Sequence, residues 1–150
     1  MSRDSKAARI ALGAGLALVL AAALLPASGC GLSPGTGSPL DGTAWRLTGW
    51  SLSSLDPAAF TITASFANGM IAGTSAINSY GGSYRAGPGS AFSLGELAMT
   101  EMAGPEPAMR AETAYLTLLR QARSYRVEAG VLHLYDANGN ESLFFGPAGK

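Results

Sequence analysis

His133, the only histidine of the chain, is the side chain best suited to acid–base chemistry near neutral pH. The alternation of apolar residues around it predicts a strand in which Leu132 and Leu134 face the core. His133 then shares the opposite face with Val131 and Tyr135. A general base needs an oriented partner and a nucleophile within reach, and no local motif supplies them. We therefore interpret His133 as a solvent-facing strand residue, and a hydrolase that uses it as base is an alternative.

Metal ligands and cofactor-binding loops are not indicated by the spacing of the polar residues. One histidine, one cysteine and singly scattered carboxylates give no ligand pattern for a metal. Residues 136–142 are spaced partly like a calcium loop but lack the glycine at the sixth position and the terminal glutamate. The glycine-rich residues 81–89 lack the Lys-Ser/Thr ending of a phosphate-binding loop. We therefore expect no metal and no cofactor, and we interpret both segments as turns.

Four side chains are candidates for a binding surface. Asn78, Tyr80 and Tyr84 lie in one segment, and a surface rich in tyrosine can bind a partner. The same residues can instead be structural, because the two tyrosines share the two-residue period of a strand and the asparagine can cap a turn. Trp45 and Trp50 are an odd number of residues apart, which predicts that one faces the core and the other the surface. An exposed Trp50 is therefore the fourth candidate contact residue.

The first 29 residues have the three parts of a secretory signal peptide. Residues 1–9 are basic, residues 10–25 contain no polar side chain, and residues 27–29 are small. A retained membrane helix needs about 20 apolar residues, and Pro26 ends this run too early. We therefore expect residues 1–29 to be a cleaved signal peptide and the rest of the chain to be exported.

Cys30, the only cysteine, directly follows Ala-Ser-Gly, and this arrangement resembles the lipobox of bacterial lipoproteins. In that class the thiol takes a diacylglyceryl group and the cysteine becomes the mature N-terminus. Ala27 departs from the pattern, which prefers a larger aliphatic residue there; the other interpretation is an incidental cysteine near an ordinary cleavage site. The resemblance implies lipidation at Cys30 and attachment to a membrane of the cell envelope, through acyl chains that contribute about 0.8 kcal/mol per buried methylene.

The charge and thiol content of the exported part exclude several classes of partner and site. From Cys30 onward, 7 basic and 9 acidic side chains remain, so the net charge is about −2. No basic patch remains to hold nucleic acid. Once Cys30 is acylated, no thiol is left for a disulfide, a nucleophile or a cysteine metal site.

Residues 30–39 are predicted to form a tether rich in Gly, Ser and Pro, and residues 40–150 a single domain of ordinary size. Alternating segments predict short strands over 44–51, 60–66, 70–73, 81–85, 91–94, 97–100, 124–128, 131–135 and 141–145. Asn68-Gly69, Ala129-Gly130 and Asn138-Gly139 predict tight turns between them. Two prolines followed by apolar residues at three- and four-residue steps predict a helix over about 106–122. The expected fold class is α+β, with an antiparallel β-rich curved sheet, or a small closed barrel, and one helix packed against it.

Five segments, in order along residues 40–145, resemble the META/HslJ domain family. The matching segments are Gly42-Thr43-x-Trp45-x-Leu47, Gly73-x-x-x-x-Asn78-x-Tyr80-x-Gly82-x-Tyr84, Leu97-Ala98-Met99-Thr100-x-Met102-Ala103, Glu112-x-x-Tyr115-Leu116-x-x-Leu119 and the last hairpin over 132–145. Each segment is short, but their order behind a lipoprotein-like signal identifies the chain as similar to this family.

The chain departs from the family pattern at two positions that carry cysteine in the family. Ile77 stands before Asn78, and Gly104 stands after the Met-Ala pair. If those cysteines pair in relatives, their joint loss is what a dispensable disulfide would look like, and a disulfide typically contributes about 2–4 kcal/mol. We expect burial of Ile77 to offset part of that loss. The loop before Asn78 is also one residue longer than the family pattern.

The resemblance implies an envelope or stress-linked protein without established catalytic machinery. We therefore expect a non-catalytic, monomeric envelope lipoprotein that binds another envelope component, with an envelope protein as a candidate partner, or that supports the envelope under stress. A small-ligand carrier with an apolar barrel cavity is a further alternative. Tight filling of the interior would rule out that carrier; the side chains expected to fill it are Phe60, Ile62, Phe66, Leu94, Leu132, Leu134 and Phe144.

Overall fold

The structure is a computed structural model that describes residues 38–149. The predicted signal peptide, the lipidation of Cys30 and most of the predicted tether lie outside the described residues. Within residues 38–149, eight strands and one α-helix follow one another along the chain. Their bounds are β1 Thr43–Trp50, β2 Thr63–Ala67, β3 Met70–Thr74, β4 Ser79–Ala86, β5 Phe92–Met99, α1 Glu106–Gln121, β6 Ser124–Glu128, β7 Val131–Tyr135 and β8 Glu141–Pro147.

The strands form one antiparallel sheet in the order β5-β4-β3-β2-β1-β8-β7-β6. The sheet curls until its two edge strands approach each other near one point. There, Ala91 pairs with Ser124, and the amide N of Phe92 donates to the carbonyl O of Arg123 at 2.8 Å. Because the described residues of β5 and β6 form no further ladder with each other, the sheet is a curled half-barrel. The predicted α+β class is confirmed, in its curved-sheet form.

Two tight turns have the backbone conformation that their sequence predicts. Asn68 and Gly69 have φ angles of 52° and 74°, and Ala129 and Gly130 have φ angles of 50° and 78°. A two-residue hairpin turn whose central residues both have positive φ matches the right-handed twist of the strands that it joins. The hairpins β2–β3 and β6–β7 therefore form where the sequence predicts them.

A β-bulge in β1 decides the direction of the second tryptophan. The register of β1 against β8 shifts at Thr48, which is the extra residue of the bulge. Beyond the bulge Trp50 lies opposite the fully buried Leu143, so it is on the inner side of the sheet together with Trp45. The prediction that the two tryptophans face opposite sides is wrong, because the bulge consumes one residue of the alternation.

Two further bulges correct the predicted strands. In β5 the register shifts around Gly95 and Glu96, so the segments 91–94 and 97–100 belong to one bulged strand. In β8 the shift at Ser142 leaves Phe144 on the outer face, opposite His133, while Phe145 is fully buried. The expectation that Phe144 fills the core is therefore wrong, and its neighbour Phe145 takes that place.

Helix α1 lies against the concave side of the sheet. It begins after Pro105 and has Pro107 in its first turn, which costs no helical hydrogen bond there. The ring of Tyr115 on α1 lies 5.7 Å from that of Tyr80 and 6.3 Å from that of Phe145, so the helix contacts both β4 and β8. The predicted helix is confirmed to within one residue. Among the described residues, the chain contains no helix with the length and apolar character that crossing a bilayer requires.

Aromatic and aliphatic side chains occupy the interior of the half-barrel. The ring of Phe66 lies 4.8 Å from that of Tyr84 and 6.4 Å from that of Phe92, which in turn lies 6.5 Å from Tyr125. Of the side chains expected to fill the interior, four are at most 1% exposed; these are Ile62, Phe66, Leu132 and Leu134. Phe60 and Leu94 are partly buried against the same cluster. Side chains therefore fill the space that a carrier would use for a ligand.

Candidate functional site

Asn78, the first predicted contact residue, is buried and engaged inside the domain. Its side-chain amide donates to Oε1 of Glu112 at 2.9 Å and to the carbonyl O of Met102 at 3.2 Å. Its Oδ1 accepts from Oγ1 of Thr100 at 2.8 Å and from the amide N of Met102 at 2.7 Å. These bonds join the start of β4, the segment that follows β5, and helix α1. Of the two interpretations left open by the sequence, these contacts support the structural one.

Glu112, which the sequence placed only in a family-like helix, is the carboxylate that completes this network. It accepts hydrogen bonds from Oγ of Ser75 at 2.6 Å and from the amide N of Asn78 at 3.0 Å. Burial raises the pKa of Glu112, but the hydrogen bonds from Ser75 and Asn78 outweigh burial and hold the pKa below its usual value. The ionised carboxylate therefore fixes the loop before β4 onto the helix.

Tyr80, the second predicted contact residue, also points into the interior. Its hydroxyl donates to the carbonyl O of Thr63 at 2.8 Å and lies 2.6 Å from the hydroxyl of Tyr115. Burial raises the pKa of both phenols well above the usual tyrosine value. The pair thus ties β4, the start of β2 and helix α1 together.

Tyr84 is buried as well and closes the start of the domain. Its hydroxyl donates to Oδ1 of Asp41 at 2.6 Å. Burial and the hydrogen bond to Asp41 raise the pKa of Tyr84 to about 12. Asp41 accepts this bond and others from the amides of Gly69 and Ser38, and together they lower the pKa of its carboxyl group. The hydrogen bond of Tyr84 therefore joins β4 to the turn that precedes β1.

Trp50, the fourth predicted contact residue, is half-buried. Its indole N–H donates to the carbonyl O of Leu55 at 2.8 Å, and its ring packs against the core. The four predicted contact residues therefore do not form one exposed surface: Asn78, Tyr80 and Tyr84 are inside, and the polar atom of Trp50 is already bonded.

The outer face of β6, β7 and β8 instead carries a group of partly exposed rings, which the sequence did not predict as a binding surface. His133 lies opposite Phe144 on β8, with ring centroids 5.8 Å apart, and its ring stacks beside that of Tyr135 at 6.5 Å. We call His133, Tyr135 and Phe144 the aromatic platform. Leu132 and Leu134 are fully buried, so the predicted solvent-facing side of His133 is confirmed.

Charged groups of both signs surround the aromatic platform. Nδ1 of His133 is hydrogen-bonded to Oε1 of Glu141, a cross-strand neighbour that supplies the partner absent from the local sequence. Arg126 lies directly opposite His133 on β6 and forms an exposed ion pair with Glu128 at 3.6 Å. An exposed pair of this kind is weak, so the guanidinium of Arg126 is free to exchange partners.

A cleft of about 210 Å³ opens next to the aromatic platform, near the point where the two edges of the sheet meet. We call it the seam cleft. Its lining residues are Ser90, Ser124, Tyr125, Arg126, Tyr135 and Gly139. Arg126 and Tyr135 thus border both the seam cleft and the outer face that holds the platform, so the two are continuous.

A second cleft, of about 470 Å³, lies along the outer side of α1 and is mainly apolar. Leu52 and Met109 line it and are 61% and 46% exposed. Thr113 and Thr117 also line it, and their hydroxyls donate to backbone carbonyls one helical turn earlier at 3.0 and 2.7 Å. Glu106 and Arg110 also line this cleft, and they form an ion pair with each other at 3.6 Å.

The described part of the chain contains no cluster of side chains that could bind a metal ion. No three His, Cys, Asp or Glu side chains come together there. In the segment that partly resembles a calcium loop, Oδ1 of Asp136 accepts from the amide N of Asn138 and of Asn140, each at 2.8 Å. Its carboxylate therefore closes a turn, as the sequence predicted.

One signal in the sequence could have pointed to the aromatic platform. The alternation of 131–135 already places His133 and Tyr135 on one face. Phe144 and Glu141 could not be added, because the bulge at Ser142 sets their direction and depends on how β8 pairs with β7.

Comparison with known proteins shows one matching family and several similar folds. The model of the META domain matches residues 38–149. An NMR structure of a protein from Burkholderia xenovorans is 28% identical, with a TM-score of 0.61 over 74% of this chain and 85% of that chain. A crystal structure of a DUF4847 family protein from Bacteroides vulgatus is 11% identical, with a TM-score of 0.54 over 75% of this chain and 96% of that one, and so shares the fold alone. No curated protein matches the chain.

Proposed function

Because the chain belongs to the META domain family, we propose that it is a non-catalytic, lipid-anchored binding protein of the cell envelope. In this proposal Cys30 carries the lipid, and the outer face of β6, β7 and β8 contacts an envelope component and so supports the envelope under stress. The observation that carries the proposal is the aromatic platform, a group of partly exposed rings with charged groups beside it. Tyrosine and arginine are enriched among the residues that contribute most to binding at the centres of protein interfaces.

The packing of the interior supports a surface site over an internal one. Tyr115, Phe66 and Phe145 are fully buried where a lumen would lie. A ligand or partner is therefore expected to bind on the outside of the half-barrel, and the small-ligand carrier becomes the less supported alternative.

The test is crosslinking in cells with the full-length chain, followed by identification of both the proteins and the polysaccharides recovered. Three forms are compared: the unaltered chain, Cys30→Ala, and Tyr135→Ala, with Met109→Ala as the control because Met109 is exposed on a different surface. We expect one specific component, recovered with the unaltered chain and with Met109→Ala, and lost with the other two. The proposal fails if nothing specific is recovered and both the unaltered and Cys30→Ala chains behave as soluble monomers.

The contact between His133 and Glu141 is the one observation that favours the alternative of an envelope hydrolase. Of the rings nearest His133, that of Phe144 has no nucleophilic atom, and among the described residues His133 is hydrogen-bonded to Glu141 and not to the Tyr135 hydroxyl that it would have to activate. A His133→Asn chain that keeps every phenotype of the unaltered chain would exclude this alternative. Loss of an activity in that variant, with the fold and the crosslinked partner unchanged, would support it.

A further inference from the structure

The seam cleft and the aromatic platform are parts of one surface. Ser124 and Tyr135 lie directly opposite each other in the β6–β7 ladder, and so do Arg126 and His133. A ligand seated in the seam cleft would therefore meet Arg126 on β6 and Tyr135 on β7 first, and then the rings of His133 on β7 and Phe144 on β8.

We propose that this surface binds a neutral saccharide, with one sugar ring in the seam cleft and the next over the aromatic platform. This inference rests on the proposed function, and it names the chemical class of the envelope component.

The alternation of ring faces and polar groups matches the chemistry of a sugar. The face of an aromatic ring carries partial negative charge and attracts the C–H bonds on the flat side of a pyranose. A carboxylate or a guanidinium bonds a pair of neighbouring hydroxyls with two parallel hydrogen bonds. The platform supplies the rings, and Glu141 and Arg126 supply the charged groups next to them. The Ser90 and Ser124 hydroxyls add donors and acceptors in the seam cleft.

The balance of charge favours a neutral ligand. The guanidinium of Arg126 has Glu128 as an ion-pair partner, and the carboxylate of Glu141 is hydrogen-bonded to Nδ1 of His133. An anionic polymer would meet both carboxylates, and a cationic one would meet the guanidinium. An uncharged polyhydroxylated ligand can bond to both signs without leaving either uncompensated.

The dimensions of the surface also fit a short run of sugar rings. The seam cleft has a volume of about 210 Å³, which suits a single hexose. In the aromatic platform the His133 and Tyr135 ring planes lie within 22° of each other with centroids 6.5 Å apart, and the Phe144 ring stands at 76° to that of His133 with centroids 5.8 Å apart, so a ligand longer than one sugar ring can contact more than one of them. We expect a surface site of this kind to bind one sugar weakly and to gain affinity from the second.

The experiment is an NMR titration of the full-length chain carrying Cys30→Ala with N-acetylglucosamine tetrasaccharide, a neutral probe. We expect saturable shifts of the backbone amides of Ser124, Arg126, His133 and Tyr135. Tyr135→Ala and Phe144→Ala should each weaken binding about tenfold, which corresponds to about 1.4 kcal/mol. Tyr135→Phe, which keeps the ring, should bind within about threefold of the unaltered chain, since the stacking contact is retained. Met109→Ala should leave the binding unchanged.

The inference is overturned if neither N-acetylglucosamine tetrasaccharide nor maltotetraose at millimolar concentration causes a shift, if the shifts map to the cleft along α1, or if Tyr135→Ala binds as tightly as the unaltered chain. Repeating the titration with maltotetraose tests whether the acetamido group contributes, and saturable binding of either sugar at this surface supports the inference. Comparison with the cell crosslinks separates the two proposals. A specific protein captured in cells through Tyr135, together with no sugar binding in solution, contradicts the saccharide and leaves the binding function standing.

Discussion

The side chain of Ile77 lies directly on Gly104. A Cβ atom added at position 104 would stand 2.5 Å from Cδ1 of Ile77 and 3.0 Å from its Cγ1. The pattern of the META/HslJ family carries cysteines at these two positions. Ile77 precedes β4 and Gly104 follows β5, and the β4–β5 hairpin brings them side by side. The half-buried isoleucine therefore occupies the space of a bridge, and the absence of a side chain on Gly104 makes room for it.

The contact between Ile77 and Gly104 predicts that a disulfide can be restored here. Cβ of Ile77 is one bond of about 1.5 Å from Cγ1, so a Cβ–Cβ separation of roughly 3.5–4.5 Å is accessible, the range of natural disulfides. Ile77→Cys/Gly104→Cys, in a Cys30→Ser background, should raise the free energy of unfolding by about 2–4 kcal/mol when oxidised. Urea unfolding with and without reductant measures the difference. Two thiols that stay free under oxidising conditions would contradict the geometry.

Gly73 and Gly81 differ sharply in the space around their Cα atoms, although both lie in the β3–β4 hairpin. A Cβ at Gly73 would overlap the backbone carbonyl of Thr63 on β2, whereas a Cβ at Gly81 would sit 3.6 Å from the nearest atom, the carbonyl O of Ile71. Gly73→Ala should therefore cost about 1–3 kcal/mol or more of unfolding free energy, because backbone must move to relieve the overlap. Gly81→Ala is the matched control and should stay within about 1 kcal/mol of the unaltered chain. Equal costs for the two substitutions in chemical unfolding would refute this account.

The network at Glu112 predicts a loss of stability in acid. Hydrogen bonds lower the pKa of Glu112 in the folded state below its reference value of 4.5. The unfolded chain therefore takes up the proton first, so the stabilisation is complete above about pH 4.5 and is lost as the pH falls through the folded pKa.

Glu112→Gln should destabilise the domain by about 1.5–3 kcal/mol at neutral pH, because hydrogen bonds to a charged acceptor are lost. It should also make unfolding less steeply dependent on pH in the acid range. Glu106→Gln, on an exposed part of the same helix, is the control and should change stability by less than about 0.5 kcal/mol. Chemical unfolding between neutral and acid pH gives both quantities, and identical acid profiles for Glu112→Gln and the unaltered chain would show that the network has no such role.

The bond between Tyr84 and Asp41 predicts a loss of stability in alkali. The pKa of Tyr84 is raised to about 12 from 10.0, so the unfolded chain releases the phenolic proton first. The stabilisation is complete below pH 10 and is lost as the pH rises towards 12. Asp41→Asn removes the negative charge that helps to raise this pKa, and Tyr84 should then titrate at lower pH. Ultraviolet titration of tyrosinate measures the shift in the pKa of Tyr84, and Tyr84→Phe assigns the signal. An unchanged titration curve in Asp41→Asn would show that Asp41 does not raise this pKa.

The amino-acid sequence alone determined the elements and the family of this domain. Period-two alternation, the Asn68-Gly69 and Ala129-Gly130 turns and the apolar stripe of 106–122 are local signals, and each produced the predicted strand, hairpin or helix. The order of the family-like segments likewise predicted the META domain family, whose model matches residues 38–149. These signals suffice because backbone conformation at a turn or along a helix depends mainly on neighbours within a few residues.

The tertiary structure decided which side chains face outward and which come together. The bulges at Thr48 and Ser142 turn Trp50 inward and Phe144 outward; the first depends on pairing of β1 with β8 at the other end of the domain, and the second on how β8 pairs with its neighbour β7. Asn78 meets Glu112 only because α1 crosses the concave face of the sheet. One extra residue in a strand reverses every face that follows it, and the local sequence carries no mark of where pairing with another strand will insert that residue. Asn78, Tyr80 and Tyr84 lie inside because helix α1 and the turn before β1 cover them, and the aromatic platform emerges only from the folded sheet.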